Sequence, residues 1–314
     1  MFNTQIFQWK SFLILFFSIL FLLFNFRRIF PQKLFRESRS DVKYIRSPFD
    51  RTLAFIRWNS AHIQRIPLIE KYRPFFNELH YSIPSFTNQV NLTADGLIKY
   101  DFPYKMVSET MEIILNGTYS SIQGILFFHF DAWINPFKFV GMNFENIWFL
   151  DSTVPPFICM KSEKEIFWWS DINGLQRISQ KARKLLEEKH PKKYFIKDEN
   201  EFCVGWSDIY YIPRRFFQDF ILLSNIYHSV GTFHEIAIPT IVKIIDFTYR
   251  LSNSHSIITK ISDCWGNCCS SGAKSIDLQI RRCGHRMDLN NEIIQQTFLR
   301  SLQSQFSLIN KTFS

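Results

Sequence analysis

The strongest constraint on the fold of this chain is a short apolar run that stops abruptly at a histidine and an aspartate. It lies between Gly124 and Pro136, G-I-L-F-F-H-F-D-A-W-I-N-P, where residues 125–128 are strand formers in one unbroken block. Such a block predicts a central strand of a parallel sheet, covered on both faces. His129 and Asp131 follow where this strand leaves the sheet. Because open α/β sheets bind ligands at the carboxyl ends of their strands, we expect a binding site there. The alternative is that Asp131 only caps the following turn.

The segments around this run alternate between strand and helix. Residues 52–58 predict a strand, residues 61–77 a helix interrupted by prolines, and residues 79–83 a second strand. This β-α-β order predicts an α/β fold with a mostly parallel central sheet flanked by helices. A further apolar strand over residues 147–151 ends in Asp151, so we expect a rim of carboxylates at one edge of the sheet.

The N-terminal segment predicts a membrane anchor. Residues 12–26 form an apolar block that ends at Arg27 and Arg28, and such a block indicates a short membrane segment. The block is not followed by the small residues that mark a signal-peptide cleavage site, so we expect an uncleaved signal anchor. The predicted organisation is a cytosolic tail over residues 1–10, a transmembrane helix over 11–27, a stem over 28–50 and one large folded domain over 51–314.

Charge alone does not determine on which side of the membrane the body of the protein, the folded domain over residues 51–314, lies. Residues 27–39 carry five Lys and Arg, whereas the short N-terminal side carries Lys10, so the positive-inside rule alone would leave the body in the cytosol. Glycosylation sequons on the body side favour the lumen instead. They begin at Asn91, Asn116 and Asn310.

The net charge of +9 does not indicate nucleic-acid binding. Eight Lys and Arg against three Asp and Glu leave +5 in residues 1–50, so the rest of the chain carries only +4. No arginine-rich stripe with interleaved aromatic residues follows in the body. We therefore exclude nucleic acid as a partner.

The C-terminal part is rich in cysteine. Four of the six cysteines crowd together there, with His285 close by: Cys264, Cys268, Cys269 and Cys283. They could be zinc ligands, but their spacing fits no common zinc motif. In a lumenal domain they are expected to form disulfides, and with Cys159 and Cys203 all six could pair. The connectivity stays open, as does a purely structural role for His285.

Two further segments carry candidate site residues. Asp208 follows Gly205, Trp206 and Ser207 and precedes a predicted strand over residues 209–212. The pair His234 and Glu235 begins a predicted helix. The alternative roles are a turn aspartate for Asp208 and a first-turn glutamate that stabilises the helix dipole for Glu235.

This order of anchor, stem, β-α-β opening and apolar strand ending at an aspartate resembles Golgi-type, type II membrane glycosyltransferases with a GT-A-like fold, over about residues 50–290. The resemblance implies hexosyl-type transfer from a nucleotide-sugar donor to a glycan or glycoprotein acceptor. It also implies a membrane-anchored protein of the Golgi or endoplasmic reticulum with its body in the lumen.

The resemblance also implies a metal site. In that family an Asp-x-Asp motif holds a divalent metal against the diphosphate, and the matching stretch here is His129-Phe130-Asp131, with histidine in place of the first aspartate. Because one carboxylate is a poor site for such ions, we expect either Mn²⁺ or metal independence. The implied donor-binding residues are His129, Asp131 and Asp151, and the implied metal ligands are Asp131, His129 and His285.

The candidate catalytic residues are Glu235, Asp208 and His234. We predict Glu235 as the base that takes the proton from the acceptor hydroxyl, with His234 orienting its carboxylate. The loop ending at Asp208 resembles an acceptor-binding loop, in which Trp206 would stack on a sugar. Two alternatives remain: a non-catalytic lumenal protein of the same fold that binds glycans or scaffolds an enzyme, and a cytosol-facing membrane protein with zinc-bound cysteines.

Overall fold

The computed structural model describes residues 46–58, 63–83, 102–150, 157–160, 175–194, 201–265 and 272–310. The predicted cytosolic tail and transmembrane segment lie outside these residues, as do Asp151 and the sequon at Asn91. Among the described residues, no helix is both long enough and apolar enough to cross a membrane.

Strands and helices alternate through most of the described chain. The strands are β1 (Thr52–Arg57), β2 (Glu78–Ser82), β3 (Gly124–His129), β4 (Trp133–Ile134), β5 (Ile147–Leu150), β6 (Ile158–Met160), β7 (Phe202–Val204), β8 (Ile209–Pro213), β9 (Ile258–Ile261), β10 (Cys264–Trp265) and β11 (Cys283–Gly284). The α-helices are α1 (Ile66–Ile69), α2 (Pro103–Leu115), α3 (Leu175–Lys189), α4 (Phe217–Ser229), α5 (His234–Asn253), α6 (Ser275–Ile280) and α7 (Glu292–Asn310).

The main sheet has six strands in the order β2-β1-β3-β8-β5-β9. β1 pairs in parallel with both β2 and β3, and β5 pairs in parallel with β9. β8 runs antiparallel to both of its neighbours, β3 and β5. The strand that ends at His129 therefore lies inside the sheet, as its unbroken apolar sequence predicts.

The predicted fold class needs correction. The α/β class is confirmed, but a GT-A-like, mostly parallel sheet behind a transmembrane helix is not what the structure describes. The sheet is mixed, because β8 opposes its neighbours, and no described helix could span a membrane. A strand that is buried on both faces has the same apolar pattern in either direction. The sequence of β8 therefore predicts a strand without specifying its direction.

Two hydrophobic cores cover the two faces of the main sheet. In β3, Ile125 and Phe127 belong to one core, whereas Leu126 and Phe128 belong to the other. This alternation follows from the two-residue period of a strand. The first core is completed by α2, α3, α4 and α5. The second is completed by α7 and by the helical turns of residues 63–75.

The helices agree with the sequence pattern except near Pro213. The pair Asn116 and Gly117 predicts the end of a helix, and α2 ends there. Gly117 has the positive φ of 98° that favours glycine at such an end. Proline is common at the first position of a helix, so the sequence predicts that a helix begins at Pro213. It is instead the last residue of β8, and a 3₁₀ turn over Arg214–Phe216 separates it from α4.

Two small sheets flank the main one, and each carries a disulfide. β6 pairs with β7, where Cys159 is bonded to Cys203. β11 lies between β10 and β4, and Cys264 is bonded to Cys283. The prediction of disulfides is confirmed for these four cysteines, which are therefore unavailable as zinc ligands. Cys268 and Cys269 lie outside the described residues.

Candidate functional site

A pocket of about 460 Å³ opens where β1 and β3 end and α5 begins. It is lined by Arg57, Phe102, Pro103, His129, Phe130, Asp131, Asp208, Phe233, His234, Glu235, His285 and Arg286. Every candidate catalytic residue from the sequence therefore faces it, together with the proposed metal ligands His129, Asp131 and His285. The prediction of a site at the carboxyl end of β3 agrees with this position.

The end of β3 places His129 and Asp131 at the pocket. His129 is the last residue of β3 and pairs in register with Arg57, the last residue of β1. The backbone N–H of Phe130 then donates to the carbonyl of Arg57 at 3.0 Å, and that of Ala132 donates to the carbonyl of His129 at 2.9 Å. The chain therefore turns directly after the strand and leaves both side chains at its end.

The small sheet brings His285 to Asp131. Gly284 of β11 pairs with Trp133 of β4, and the backbone N–H of Met287 donates to the carbonyl of Asp131 at 2.7 Å. A side chain at position 284 would overlap the ring of Trp133, so only glycine permits this close pairing. The resemblance had grouped Asp131 and His285 as ligands of one metal, and the pairing of β11 with β4 is what brings them together.

The loop that carries Asp208 is attached to the start of α5. The backbone N–H of Gly205 donates to the carbonyl of Glu235 at 3.2 Å. Nε2 of His234 lies 3.2 Å from the carbonyl oxygen of Ser207, a distance that fits donation by an Nε2–H tautomer. Asp208 itself is buried, with 6% exposure.

His285 lies between two carboxylates. Its Nε2 is 3.0 Å from Oδ1 of Asp131, and its Nδ1 is 3.4 Å from Oδ2 of Asp208. On the other side of Asp208, Oδ1 lies 3.5 Å from Nδ1 of His129. Two histidines and two aspartates from distant parts of the chain therefore form one connected cluster.

Part of this cluster could hold a metal ion. His129, Asp208 and His285 each offer a ligand atom, and these atoms lie within 4.8 Å of one another. Oδ2 of Asp208 and Nδ1 of His285 are buried and, apart from their 3.4 Å contact with each other, have no hydrogen-bond partner among the described residues. A metal would satisfy such atoms, and imidazole and carboxylate ligands suit ions such as Mn²⁺ and Zn²⁺. Asp208 thus forms this group with two of the predicted ligands, His129 and His285. The third predicted ligand, Asp131, instead contacts the other ring nitrogen of His285, Nε2.

The protonation states of the two histidines differ. Burial and the neighbouring His285 lower the pKa of His129 to about 3, so its ring is neutral. Burial opposes a charge on His285, but the carboxylates of Asp208 and Asp131 outweigh it and raise the pKa of His285 above its usual value. Burial also opposes a charge on Asp131, yet His285 holds the pKa of that carboxyl below its usual value.

The remaining acidic groups have raised pKa values. Burial raises the pKa of Asp208 to about 6, against the opposing effect of His285. Burial and the charge of Asp208 raise the pKa of Glu235 to about 8. The helix dipole at the start of α5 would lower the pKa of Glu235, but desolvation is the larger effect. Burial also lowers the pKa of His234 to about 4, which keeps its ring neutral.

Trp206 takes a different position from the one expected. The sequence suggested that its indole would stack on an acceptor sugar. The side chain is instead buried, with 4% exposure, and its ring contacts the ring of His285 edge-on at 5.6 Å between centroids. Trp206 belongs to the second of the two hydrophobic cores that cover the main sheet.

Sequence reasoning missed the two arginines of the pocket. Arg57 could have been found as the charged residue that ends the first apolar strand, and Arg286 as the neighbour of His285. Of the three sequons, Asn116 is exposed in the turn after α2. Asn310 is the last residue of α7, and the rest of its sequon lies outside the described residues.

Comparisons of the chain with models of protein families, with curated proteins and with solved structures found no match. The fold and the site therefore define the protein only as an α/β protein with a mixed sheet and a His-Asp-His group that could hold a metal ion.

Proposed function

We propose that this chain is a metal-dependent glycosyltransferase that moves a sugar from a nucleotide-sugar donor to a hydroxyl group of a glycan or glycoprotein. One observation carries the proposal. A group that could hold a metal, formed by His129, Asp208 and His285, shares a pocket with Glu235, whose pKa is raised to about 8. Such a transfer needs positive charge near the leaving diphosphate and a proton acceptor near the attacking hydroxyl.

Positive charge at the donor side has several sources. A bound divalent cation would supply charge against the departing phosphate oxygens. Arg57 and Arg286 line the same pocket, and guanidinium groups are well suited to phosphate. His285, held between Asp131 and Asp208, can contribute a nitrogen ligand or a positive charge. These groups together support an anionic ligand of the diphosphate class.

Glu235 is the residue that we assign as the base. A general acid or base works best when its pKa lies near the operating pH, and the pKa of Glu235 is raised to about 8. His234 does not hold the carboxylate of Glu235 among the described contacts. Its Nε2 contacts Ser207, so we assign it to positioning the loop that ends at Asp208.

Aromatic and apolar side chains form the rest of the pocket wall. They are Phe102, Pro103, Phe130 and Phe233. Flat apolar surfaces of this kind bind sugar rings or nucleobases, while a few polar groups fix the orientation of the ligand. The combination supports a ligand with an anionic part and a ring.

The two disulfides support a location in an oxidising compartment. Disulfides persist in the secretory pathway and are rare in the cytosol, and Cys159–Cys203 and Cys264–Cys283 are both formed. We therefore propose that the transfer takes place in the secretory lumen.

The proposal is tested by donor hydrolysis and transfer. The full-length protein would be incubated with UDP-, GDP- and CMP-sugars and Mn²⁺, and release of the nucleotide would be measured. We expect at least one donor to be turned over, and Glu235→Gln to lower the rate by about 10²–10⁴-fold without weakening Mn²⁺ binding. Glu112→Gln is the control, since Glu112 is exposed on α2. Absence of binding to every donor by calorimetry would refute the proposal, and binding without turnover would leave a non-catalytic binding protein.

A further inference from the structure

The segment that carries His285 is attached to the rest of the fold through very short strands. β11 and its neighbours β4 and β10 each have two residues. Strands of this length form few ladder hydrogen bonds and are weak anchors by themselves. The position of His285 between Asp131 and Asp208 therefore needs additional support.

The Cys264–Cys283 disulfide lies where that support is needed. Cys283 belongs to β11, lies two residues before His285 and is completely buried. Its partner Cys264 belongs to β10, which follows β9 at the edge of the main sheet. The disulfide thus joins the short strand beside His285 to a chain segment that leaves the main sheet directly.

We propose that the Cys264–Cys283 disulfide is a positioning device for the metal centre, which holds His285 at its place between Asp131 and Asp208. This inference rests on the metal-binding part of the proposed function and not on sugar transfer. The disulfide is not itself part of the group that could hold a metal. It acts through the backbone of β11, which leads straight into His285.

Other contacts should keep the segment folded when the disulfide is absent. The backbone N–H of Arg282 donates to the carbonyl of Asp263 at 2.9 Å, and Nη1 of Arg281 lies 2.9 Å from Oδ1 of Asp263. Asn135 also donates to the carbonyl of Leu278 at 2.8 Å. These bonds fix the chain before β11. Loss of the disulfide should therefore shift His285 without unfolding the protein.

The second disulfide offers a matched control. Cys203 lies in β7, before the loop that carries Asp208, but β7 has its own attachment to α5. The backbone N–H of Cys203 donates to Oγ1 of Thr240 at 2.9 Å, and the backbone N–H of Gly205 donates to the carbonyl of Glu235. Cys159 tethers only the outer strand β6. Removing Cys159–Cys203 should therefore leave Asp208 in place.

The test compares Cys264→Ser/Cys283→Ser with Cys159→Ser/Cys203→Ser in the full-length chain. Mn²⁺ affinity would be measured by calorimetry, and the melting temperature of the metal-free protein by circular dichroism. We expect both variants to melt earlier. Only Cys264→Ser/Cys283→Ser should lose Mn²⁺ affinity, by about 10–100-fold, as is usual when support of a ligand is removed. Unchanged affinity in that variant, or an equal loss in both, would overturn the inference.

A second measurement covers the case in which Cys264→Ser/Cys283→Ser does not fold. The Cys159→Ser/Cys203→Ser protein would be titrated with a phosphine reductant. The disulfide oxidises the phosphine by two electrons, and water supplies the oxygen of the phosphine oxide and the two protons of the resulting thiols. We expect Mn²⁺ affinity to fall before the far-ultraviolet ellipticity does. Simultaneous loss of both would contradict a positioning role. Wild-type protein that binds Mn²⁺ but turns over no donor would leave this inference intact while refuting the transferase.

Discussion

Nε2 of His285 lies 3.0 Å from Oδ1 of Asp131, although the two residues belong to different halves of the chain. This contact is produced by the pairing of β11 with β4 and by the hydrogen bond from Met287 to the carbonyl of Asp131. It joins the end of β3 to the C-terminal segment. The candidate metal centre therefore depends on a small sheet outside the six-stranded one.

The first prediction concerns the metal ligands. His285→Ala should lower Mn²⁺ affinity by more than about tenfold, because it removes one of three candidate ligands and the nitrogen beside Oδ2 of Asp208. His255→Ala is the matched control, since His255 is exposed. Calorimetric titration of both variants would measure the effect. Equal affinities would show that the His-Asp-His group binds no metal.

The second prediction concerns the pH dependence of stability. The pKa of Glu235 is raised from 4.5 to about 8 in the folded protein. The stability that Glu235 contributes is therefore fully present below about pH 4.5, falls as the pH rises from there, and is lost once the pH has passed about 8. The unfolding free energy of metal-free Glu235→Gln should therefore fall less between pH 5 and pH 9 than that of the wild type. Urea titrations at several pH values would measure it.

Glu112→Gln provides the comparison for that experiment, because Glu112 is exposed on α2. Its stability should follow the wild-type curve across the same range. If Glu235→Gln also follows the wild-type curve, the pKa of Glu235 is not raised in the folded protein, and its assignment as the base loses its main support.

The third prediction concerns Trp206. Because its ring is buried and contacts His285, Trp206→Ala should destabilise the protein by about 3–5 kcal/mol, as is usual for truncating a core aromatic residue. Trp206→Phe should retain more stability and bind Mn²⁺ more tightly than Trp206→Ala. Denaturant unfolding and calorimetry would test both. A variant with normal stability and only a raised acceptor Michaelis constant would restore the acceptor-binding role.

The fourth prediction concerns Gly284. A methyl group at this position would overlap the ring of Trp133, so Gly284→Ala should displace β11 and lower both the melting temperature and Mn²⁺ affinity. Gly272→Ala is the control, because its added carbon would meet only Arg286 O at an ordinary 3.7 Å. Thermal melts and metal titrations would be compared. Normal Mn²⁺ affinity in folded Gly284→Ala would argue against tight placement of His285 by β11.

The sequence by itself determined the local elements near the site. The unbroken apolar block of residues 125–128 specifies a strand buried on both faces, because no polar residue marks a solvent face. Helical spacing from Tyr104 to Leu115 and the following Asn116 and Gly117 predict α2. The position of His129 and Asp131 at a strand end follows from the same pattern. Asp208, Glu235 and His285 were also recognisable as candidates from their residue types and neighbours.

Only the tertiary structure decided how these elements meet. The antiparallel direction of β8 follows from its pairing with β3 and β5, which a pattern buried on both faces does not encode. The place of Asp208 in the metal group and the burial of Trp206 depend on residues that are distant in sequence. The same holds for the contact between His285 and Asp131. Local propensity acts between near neighbours, whereas these contacts are set by the packing of whole strands and helices.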